Sequence, residues 1–521
     1  MSDARGSQAS ILISNVQINY ARMLLTVFLG ILTTRMVYRE LGEKGFGLFA
    51  AVGASVFLVT TLESTLLSSV QRYLAYAVGK DDDRELRETF STSLFLTVLL
   101  GGLTFAVVYP LAPFLISLLR VPPDRIEAAI LVLRCTLVSA CVMIAAAPFN
   151  AMLTANQNFL VPAIVATGVS VLTFLGAYSL RYLPGDSLEH YAMIRLGVVA
   201  LAAFFNSIFC LKSYQQSRFS GSSVVPSIMP PLLSYGGWAG LGAMGWHLRL
   251  QGTQLIGNLF FGPSFNASLG IAQQISGYAG TLPATLLRVA NPAMTQMVGR
   301  NESAKIIPLR DSTSRFCVLL TFIFCGPLFI ELDFLLGVWL ESPPRLAALF
   351  ATIMLCNLLV DHAASGYGLV FLATGRIRGY AIFTFVIVLL QVAATYAFVA
   401  LTGSPASSIL IIFVMATLAN LFYRVWYSDG QSIEVATRHW LTRVFLRVVV
   451  ACVLAVLAAS PVAWAFPPSW FRLFSVTLVH TVALVAVAWF WTLTAQEREQ
   501  AGTYVARIRD LARKNLRSLG G

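Results

Sequence analysis

Charge is scarce in this chain of 521 residues, with Asp, Glu, Lys and Arg at 12% of positions and hydrophobic residues at 57%, and the mean hydropathy is +0.74. Water would not tolerate that surface on a domain of this length, so a soluble protein is excluded and an integral membrane protein is predicted. Cysteine is sparse as well. The seven present, Cys135, Cys141, Cys210, Cys317, Cys325, Cys356 and Cys452, fall in apolar stretches without CxxC spacing, which excludes a disulfide framework and a thiolate metal centre. The five histidines show no metal-ligand spacing, and HExxH, a Walker loop and a nucleophile elbow are all missing. No metal, cofactor or enzymatic activity is expected. Gly240-Leu241-Gly242-Ala243-Met244-Gly245 fits GxGxxG but follows no strand, so it does not bind a dinucleotide, and Gly236 and Gly240 are expected to let helices pack closely. The net charge of +12 is spread over many short loops, which fits membrane topology and not nucleic acid.

What the chain has is apolar runs. A spanning helix needs about 20 apolar residues, and this predicts spans near 10–37, 47–76, 90–119, 127–151, 159–181, 190–212, 235–261 and 265–288. Further spans are expected near 316–340, 346–373, 379–402, 407–427, 444–465 and 470–494. The first run is too long for a signal-peptide core and should remain as a span. The reading is an all-α polytopic membrane protein of about 14 transmembrane helices, with both termini on one side. Most of the 36 Lys and Arg lie beside cytoplasmic segments if that side is the cytoplasm. The opposite loops are too short for a domain. Residues 213–234, with Pro226, Pro230 and Pro231, form a cytoplasmic linker between an N-terminal lobe (1–212) and a C-terminal lobe (235–427). Two extra helices follow in 428–495, and 496–521 is a basic tail that reads equally as an amphipathic segment on the membrane or a soluble end.

The chain also repeats itself. Val121-Pro122-Pro123-Asp124-Arg125 returns as Ser342-Pro343-Pro344-Arg345, Leu41-Gly42 as Phe261-Gly262, and Thr154-Ala155-Asn156 as Thr374-Gly375-Arg376. Pro110 and Pro327 fall close to the same register. An internal repeat in a membrane protein marks two transporter halves around a central site.

Polar residues inside the spans are costly and therefore informative. Arg22, Arg134, Arg195 and Arg249 each cost about 2.5–3.5 kcal/mol at a helix centre facing lipid, so they must pair, snorkel or line water. Arg195 is near its helix end and is expected to snorkel. Asn15, Asn19, Arg22, Thr26 and Thr33 share one helix face, which is expected to meet a polar cavity. Glu63, central in the second span, could neutralise Arg22 or bind a coupling cation. His247, Gln251, Gln254 and Asn258 make a second stripe, with Arg249 on the opposite side of that helix, and Gln274 begins a third with Gly277, Thr281, Thr285 and Arg288. Asp361 and His362 lie in the middle of the tenth span. They are expected either to pair with Arg249 or to couple a proton or cation.

Three motifs carry a family likeness. Leu41-Gly42-Glu43-Lys44-Gly45-Phe46-Gly47-Leu48-Phe49 follows the first span, Gln71-Arg72-Tyr73-Leu74-Ala75 closes the second, and Ala373-Thr374-Gly375-Arg376 closes the tenth. In that order the chain resembles the polysaccharide flippases of the multidrug/oligosaccharidyl-lipid/polysaccharide exporter superfamily. It departs from them at Leu62-Glu63-Ser64-Thr65, where relatives often follow the acid closely with Gly, and this leaves the role of Glu63 open. The resemblance implies two six-helix lobes around a cavity, with two added helices. It implies that a polyprenyl-pyrophosphate-linked oligosaccharide is turned over, by alternating access, from the cytoplasmic to the outer leaflet of a bacterial inner membrane for cell-surface polysaccharide assembly. Membrane lipid and polysaccharide assembly proteins are the partners expected of such a protein. On this reading Arg22 recruits the pyrophosphate, since guanidinium stays charged and offers a planar fork of donors. Asn15, Asn19, Gln251, Gln254, Asn258 and Gln274 line the glycan path, with Glu63 and Arg249 beside it, and Asp361, His362 and Glu63 are the coupling-ion candidates. The alternatives are a cation-coupled multidrug antiporter of the same superfamily and a membrane glycosyltransferase or polymerase.

Overall fold

The computed structural model describes residues 2–80, 82–156, 158, 160–299, 302–374, 377–419, 425, 438–495 and 497–499. The basic tail from residue 500 on and the side chains of Asn15, Asn19 and Arg22 lie outside the described parts. The helices are α1 (Ser2–Ser55), α2 (Phe57–Gly79), α3 (Asp83–Val108), α4 (Ala112–Ser117), α5 (Ile126–Ala155), α6 (Leu160–Ser179), α7 (Ser187–Ser213) and α8 (Met229–Phe261). They continue as α9 (Pro263–Ala279), α10 (Thr281–Gly299), α11 (Ser303–Leu340), α12 (Ala347–Ala363), α13 (Ser365–Thr374), α14 (Ile377–Thr402), α15 (Pro405–Ala419), α16 (Leu446–Ala465) and α17 (Trp470–Val487).

Among the described residues no strand occurs, and eight helices are long and apolar enough to cross a membrane. Two bent pairs add to them, Leu24–Ser55 with Phe57–Gly79 at 55° and Ala347–Ala363 with Ser365–Phe371 at 50°. The expected spans fall largely on helix, the third interrupted at 109–111 between α3 and α4 and the twelfth described as far as Ala419. The protein is an all-α, multi-pass membrane protein. The start of α11 differs most from expectation. α11 starts at Ser303, well before the expected 316, because Arg310, Asp311 and Arg315 are paired and buried inside it and do not end it.

The repeat is visible in the backbone. α1 breaks at Gly42 (φ 69°, ψ 174°) and α8 stops at Gly262 (φ 76°, ψ −166°), a region of conformational space that side chains with a Cβ avoid. Each break is followed by a helix that breaks again, at Val56 in the first half and at Gly280 in the second. The halves then diverge. α5 runs unbroken through Pro148, whereas its counterpart is cut at Ala364 into α12 and α13.

The chain folds into two compact units. The first holds Met1–Gln273, Trp339–Phe350 and Arg378–Met415. In it Leu48 and Val52 of α1 pack on Ala129, Val132 and Leu133 of α5 and on Leu188 and Ala192 of α7. Val70 and Leu74 of α2 meet Phe90 of α3 and Met152 of α5 in a second cluster. Capping side chains start two of these helices, Asp82 accepting from the N–H groups of Arg84 and Glu85 and Asp186 from that of Leu188. α8 lies against α2 as Gly236 and Gly240 lead one to expect: a Cβ at Gly240 would stand 2.8 Å from Thr65 Oγ1, and the Ser69 hydroxyl donates to the Leu232 carbonyl at 2.6 Å.

The second unit holds Gln274–Val338, Ala351–Ile377 and Ala416–Gly521. Its axis is α11, which carries Pro308 and Pro327. The hairpin of α16 and α17 has exposed aromatic residues at both ends, Trp464, Trp470 and Phe471 at the loop and Trp489, Phe490 and Trp491 at the other end. Aromatic belts of this kind mark the two membrane interfaces. At the second end both helices adopt π-helical turns, Leu441–Phe445 before α16 and Ala488–Thr492 after α17.

Candidate functional site

The expected α8 stripe is buried against its own unit. Gln254 is 4% exposed and Asn258 0%. Gln254 Nε2 donates to Gln273 Oε1 on α9 at 2.9 Å. Asn258 Oδ1 accepts from the backbone N–H of Arg120 at 2.8 Å, and Arg120 Nη1 donates to the Phe260 carbonyl at 2.9 Å. Asn258 thus ties the end of α8 to the turn after α4. Gln251 Oε1, Asn258 Nδ2, Gln273 Nε2 and both amide atoms of the fully buried Asn266 have no hydrogen-bond partner. Spare donors and acceptors of this kind, grouped on α8 and α9, are what a hydroxylated ligand or water needs. His247 and Arg249 are half-buried on α8, and Arg249 offers its carbonyl to the Thr253 hydroxyl at 3.0 Å.

Glu63 is half-buried on α2, with no ion pair or hydrogen bond to its carboxylate among the described residues. Arg134 is matched otherwise than by an acid, its guanidinium lying over the Tyr109 ring at 4.8 Å.

In the second unit Gln274 Nε2 donates to the Tyr278 hydroxyl at 2.7 Å. Asp361 and His362 stand at the cut between α12 and α13. His362 Nδ1 meets the Thr321 hydroxyl at 2.5 Å, and the His362 carbonyl accepts from the Ser365 hydroxyl at 2.8 Å. A broken spanning helix frees backbone carbonyls at membrane depth, the setting in which transporters bind coupling ions.

An open groove of about 320 Å³ runs between α11, α12 and α16, lined among others by Phe322, Phe329, Leu359, Val449, Cys452 and Val456, and every residue along it is apolar. α16 reaches this position through contacts that sequence reasoning missed. Asp311, 6% exposed, accepts from Arg310 Nε at 3.0 Å and lies 2.7 Å from His439 Nε2. Arg315 donates to the Arg443 carbonyl at 3.0 Å and pairs with Glu497. Trp440 Nε1 donates to the Ala363 carbonyl at 2.9 Å. Farther along, Glu331 pairs with Arg472 of α17. An acid inside a strongly apolar run, as at Glu331, was the available signal.

Residues 20–179 match the MatE family model. No curated protein matches the chain by sequence. The lipid II flippase MurJ in its inward closed conformation is similar at TM-score 0.66 and 12% identity, over 92% of this chain and 98% of that one. An inward-facing multidrug resistance MATE family transporter of the MOP superfamily is similar at TM-score 0.63 and 14% identity, over 80% of this chain and 95% of that one. A MOP superfamily transporter from Pyrococcus furiosus with a binding pocket of reverse polarity gives TM-score 0.56 and 14% identity, over 81% of this chain and 96% of that one. Residues 20–179 are therefore similar to the MatE family, in a chain whose fold is like that of the MurJ and multidrug transporter structures.

Proposed function

We propose that the protein is a flippase that carries a polyprenyl-pyrophosphate-linked oligosaccharide from the cytoplasmic to the outer leaflet by alternating access. It would work in a bacterial inner membrane with both termini in the cytoplasm, supplying polysaccharide assembly proteins. The observation that carries the reading is the apolar groove walled by α16. The groove follows α11 from Val318 to Phe329, about 16 Å at 1.5 Å per residue, and it stays open beside Val453 and Leu457, which are 50% and 59% exposed. Its occupant on this reading is a stretch of the polyprenyl tail. A drug that enters and leaves as a free solute has no use for a hydrocarbon wall open at membrane depth. The likeness to MurJ over 92% of this chain, against 80% for the multidrug transporter, supports the same reading. Arg22 would recruit the pyrophosphate, with Asn15, Asn19, Gln251, Gln254, Asn258 and Gln274 along the glycan path and Glu63 and Arg249 beside it. Asp361, His362 and Glu63 are the proposed coupling residues.

One observation favours a cation-coupled multidrug antiporter instead, namely Glu63 without an ion pair among the described residues. Vesicles reconstituted with the purified protein separate the two readings. Inward-to-outward movement of a lipid-linked oligosaccharide, reduced by Arg22→Ala and further by Arg22→Glu at equal protein levels, supports the flippase. Efflux of a cationic drug without movement of the lipid-linked sugar overturns it.

A further inference from the structure

The end of the second unit where α11, α16 and α17 converge is strongly basic. Arg315, 4% exposed, gives Nη1 to the Arg443 carbonyl at 3.0 Å and Nη2 to Glu497. Its Nε is buried and has no hydrogen-bond partner among the described residues. Arg443 is exposed and Arg447 half-buried, on successive turns of one helix. The charges that act on Arg447 are the guanidiniums of Arg315 and Arg443 and the carboxylate of Glu497. Three permanent cations therefore share one carboxylate. Glu497 is already engaged, with one oxygen on Arg315 and the other accepting from the Thr494 N–H at 2.7 Å. Arg443 is exposed, and among the described residues neither Arg443 nor Arg447 has a side-chain ion pair with an acid, so a further anion would balance them.

Two independent features mark the place as a built site at the membrane surface. The π-helical turns of Leu441–Phe445 and Ala488–Thr492 adjoin it, and the Thr492 hydroxyl donates to the Arg447 carbonyl at 3.2 Å. Such turns are rare and concentrate at functional positions. The carbonyl that Arg315 takes belongs to one of them. Trp489, Phe490 and Trp491 are 37%, 76% and 54% exposed at the same end, which sets the guanidiniums at headgroup depth.

We propose that Arg315, Arg443 and Arg447 form a binding site for the phosphate of an anionic membrane phospholipid, with the Trp489–Trp491 edge against its glycerol and upper acyl chains. Guanidinium forks match phosphate oxygens in number and plane, and basic pockets between spanning helices hold anionic headgroups. Phe445 and Val448, which line the groove described above, flank Arg447 in the sequence, but the site does not depend on the transport reading.

The test uses the full chain purified in neutral detergent. It is titrated separately with phosphatidylglycerol micelles, phosphatidylcholine micelles and inorganic phosphate, and read by thermal unfolding midpoint and by lipid retained in native mass spectrometry. Phosphatidylglycerol is expected to raise the midpoint saturably and to be retained, whereas the other two ligands leave the protein unchanged. Arg443→Gln with Arg447→Gln should raise the half-saturating concentration by about tenfold or more, and the double Lys variant by less, since it keeps the charge and loses the fork. Equal half-saturation in wild type and the double Gln variant overturns the site. An equal response to phosphatidylcholine overturns its anion selectivity, and an equal response to inorganic phosphate overturns the membrane source. If the double variant fails to fold, Arg443→Gln alone, at an exposed position, is read by the same criteria.

Discussion

Glu331 of α11 and Arg472 of α17 form a 2.7 Å ion pair in which the Glu331 side chain is 0% exposed and the Arg472 side chain 13%. Glu331 Oε1 and Arg472 Nε have no hydrogen-bond partner, so desolvation is only partly offset. Removing one member of such a pair costs about 3–5 kcal/mol, because the other charge stays buried alone. Glu331→Leu and Arg472→Met should each lower unfolding stability by that order in detergent. The double variant Glu331→Leu with Arg472→Met should recover most of the loss. It should not recover all, since Arg472 also reaches the carbonyls of Ala463 and Phe466 at 3.4 and 3.3 Å. Additive losses in the double-mutant cycle would show that the two charges do not depend on each other.

Midway along the same seam Gly326 lies under the imidazole of His480, where a Cβ would overlap the ring. His480 is 0% exposed, its ring is tilted against that of Phe322 with centroids 5.3 Å apart, and neither nitrogen has a hydrogen-bond partner among the described residues. Gly326→Ala should therefore destabilise by about 1–3 kcal/mol through overpacking, and His480→Ala should relieve it in the double variant. His480→Leu removes two unsatisfied nitrogens and is expected to be neutral or stabilising. A loss above about 2 kcal/mol for His480→Leu, on denaturant unfolding, would point to a polar partner for the ring.

These contacts set the limit of what hydropathy can read. The spans, the return of Leu41-Gly42 as Phe261-Gly262 and the α8 stripe were legible, because each leaves a local mark: an apolar run, a repeated dipeptide or a period near 3.6; that both glycines break their helices was not. Arg310, Asp311 and Arg315 read as loop charges because composition does not distinguish a solvated ion from one paired inside a helix end. Their partners His439, Arg443 and Glu497 are 128 residues or more away in sequence. The α8 stripe was found, but its setting was not. Thr253, Gln254 and Asn258 are all buried, and nothing in the stripe reveals that the backbone of Arg120 takes up Asn258.

Gly42 and Gly262 offer a test of the repeat as a mechanical element. No atom stands within 4 Å of a Cβ at Gly42, and only Arg120 Cδ is as near as 4.0 Å at Gly262. Space is thus available at both, and the cost of a side chain is conformational. Ala at either position should lower stability by about 1–3 kcal/mol, with similar values at the two sites. Tolerance of Gly42→Ala within about 0.5 kcal/mol, measured by thermal unfolding, would mean that the helix ends differently from the geometry described.

On the flippase reading, the groove between α11, α12 and α16 is tested through the length of the substrate tail. Val449, Cys452 and Val456 line it, and an indole at any of them fills space that a hydrocarbon would take. Each CH₂ group kept out of an apolar site forfeits about 0.8 kcal/mol, so excluding two of them weakens binding by roughly tenfold. Val449→Trp or Val456→Trp should accordingly slow flipping of a long-chain polyprenyl substrate about tenfold, with little effect on an analogue whose tail spans only a few isoprene units. An equal loss for both tails would assign the change to misfolding of the α16 hairpin, and no loss for either would remove the groove from the transport path. Thermal unfolding of the same preparations distinguishes the first outcome, because a damaged hairpin lowers the midpoint whichever substrate is present.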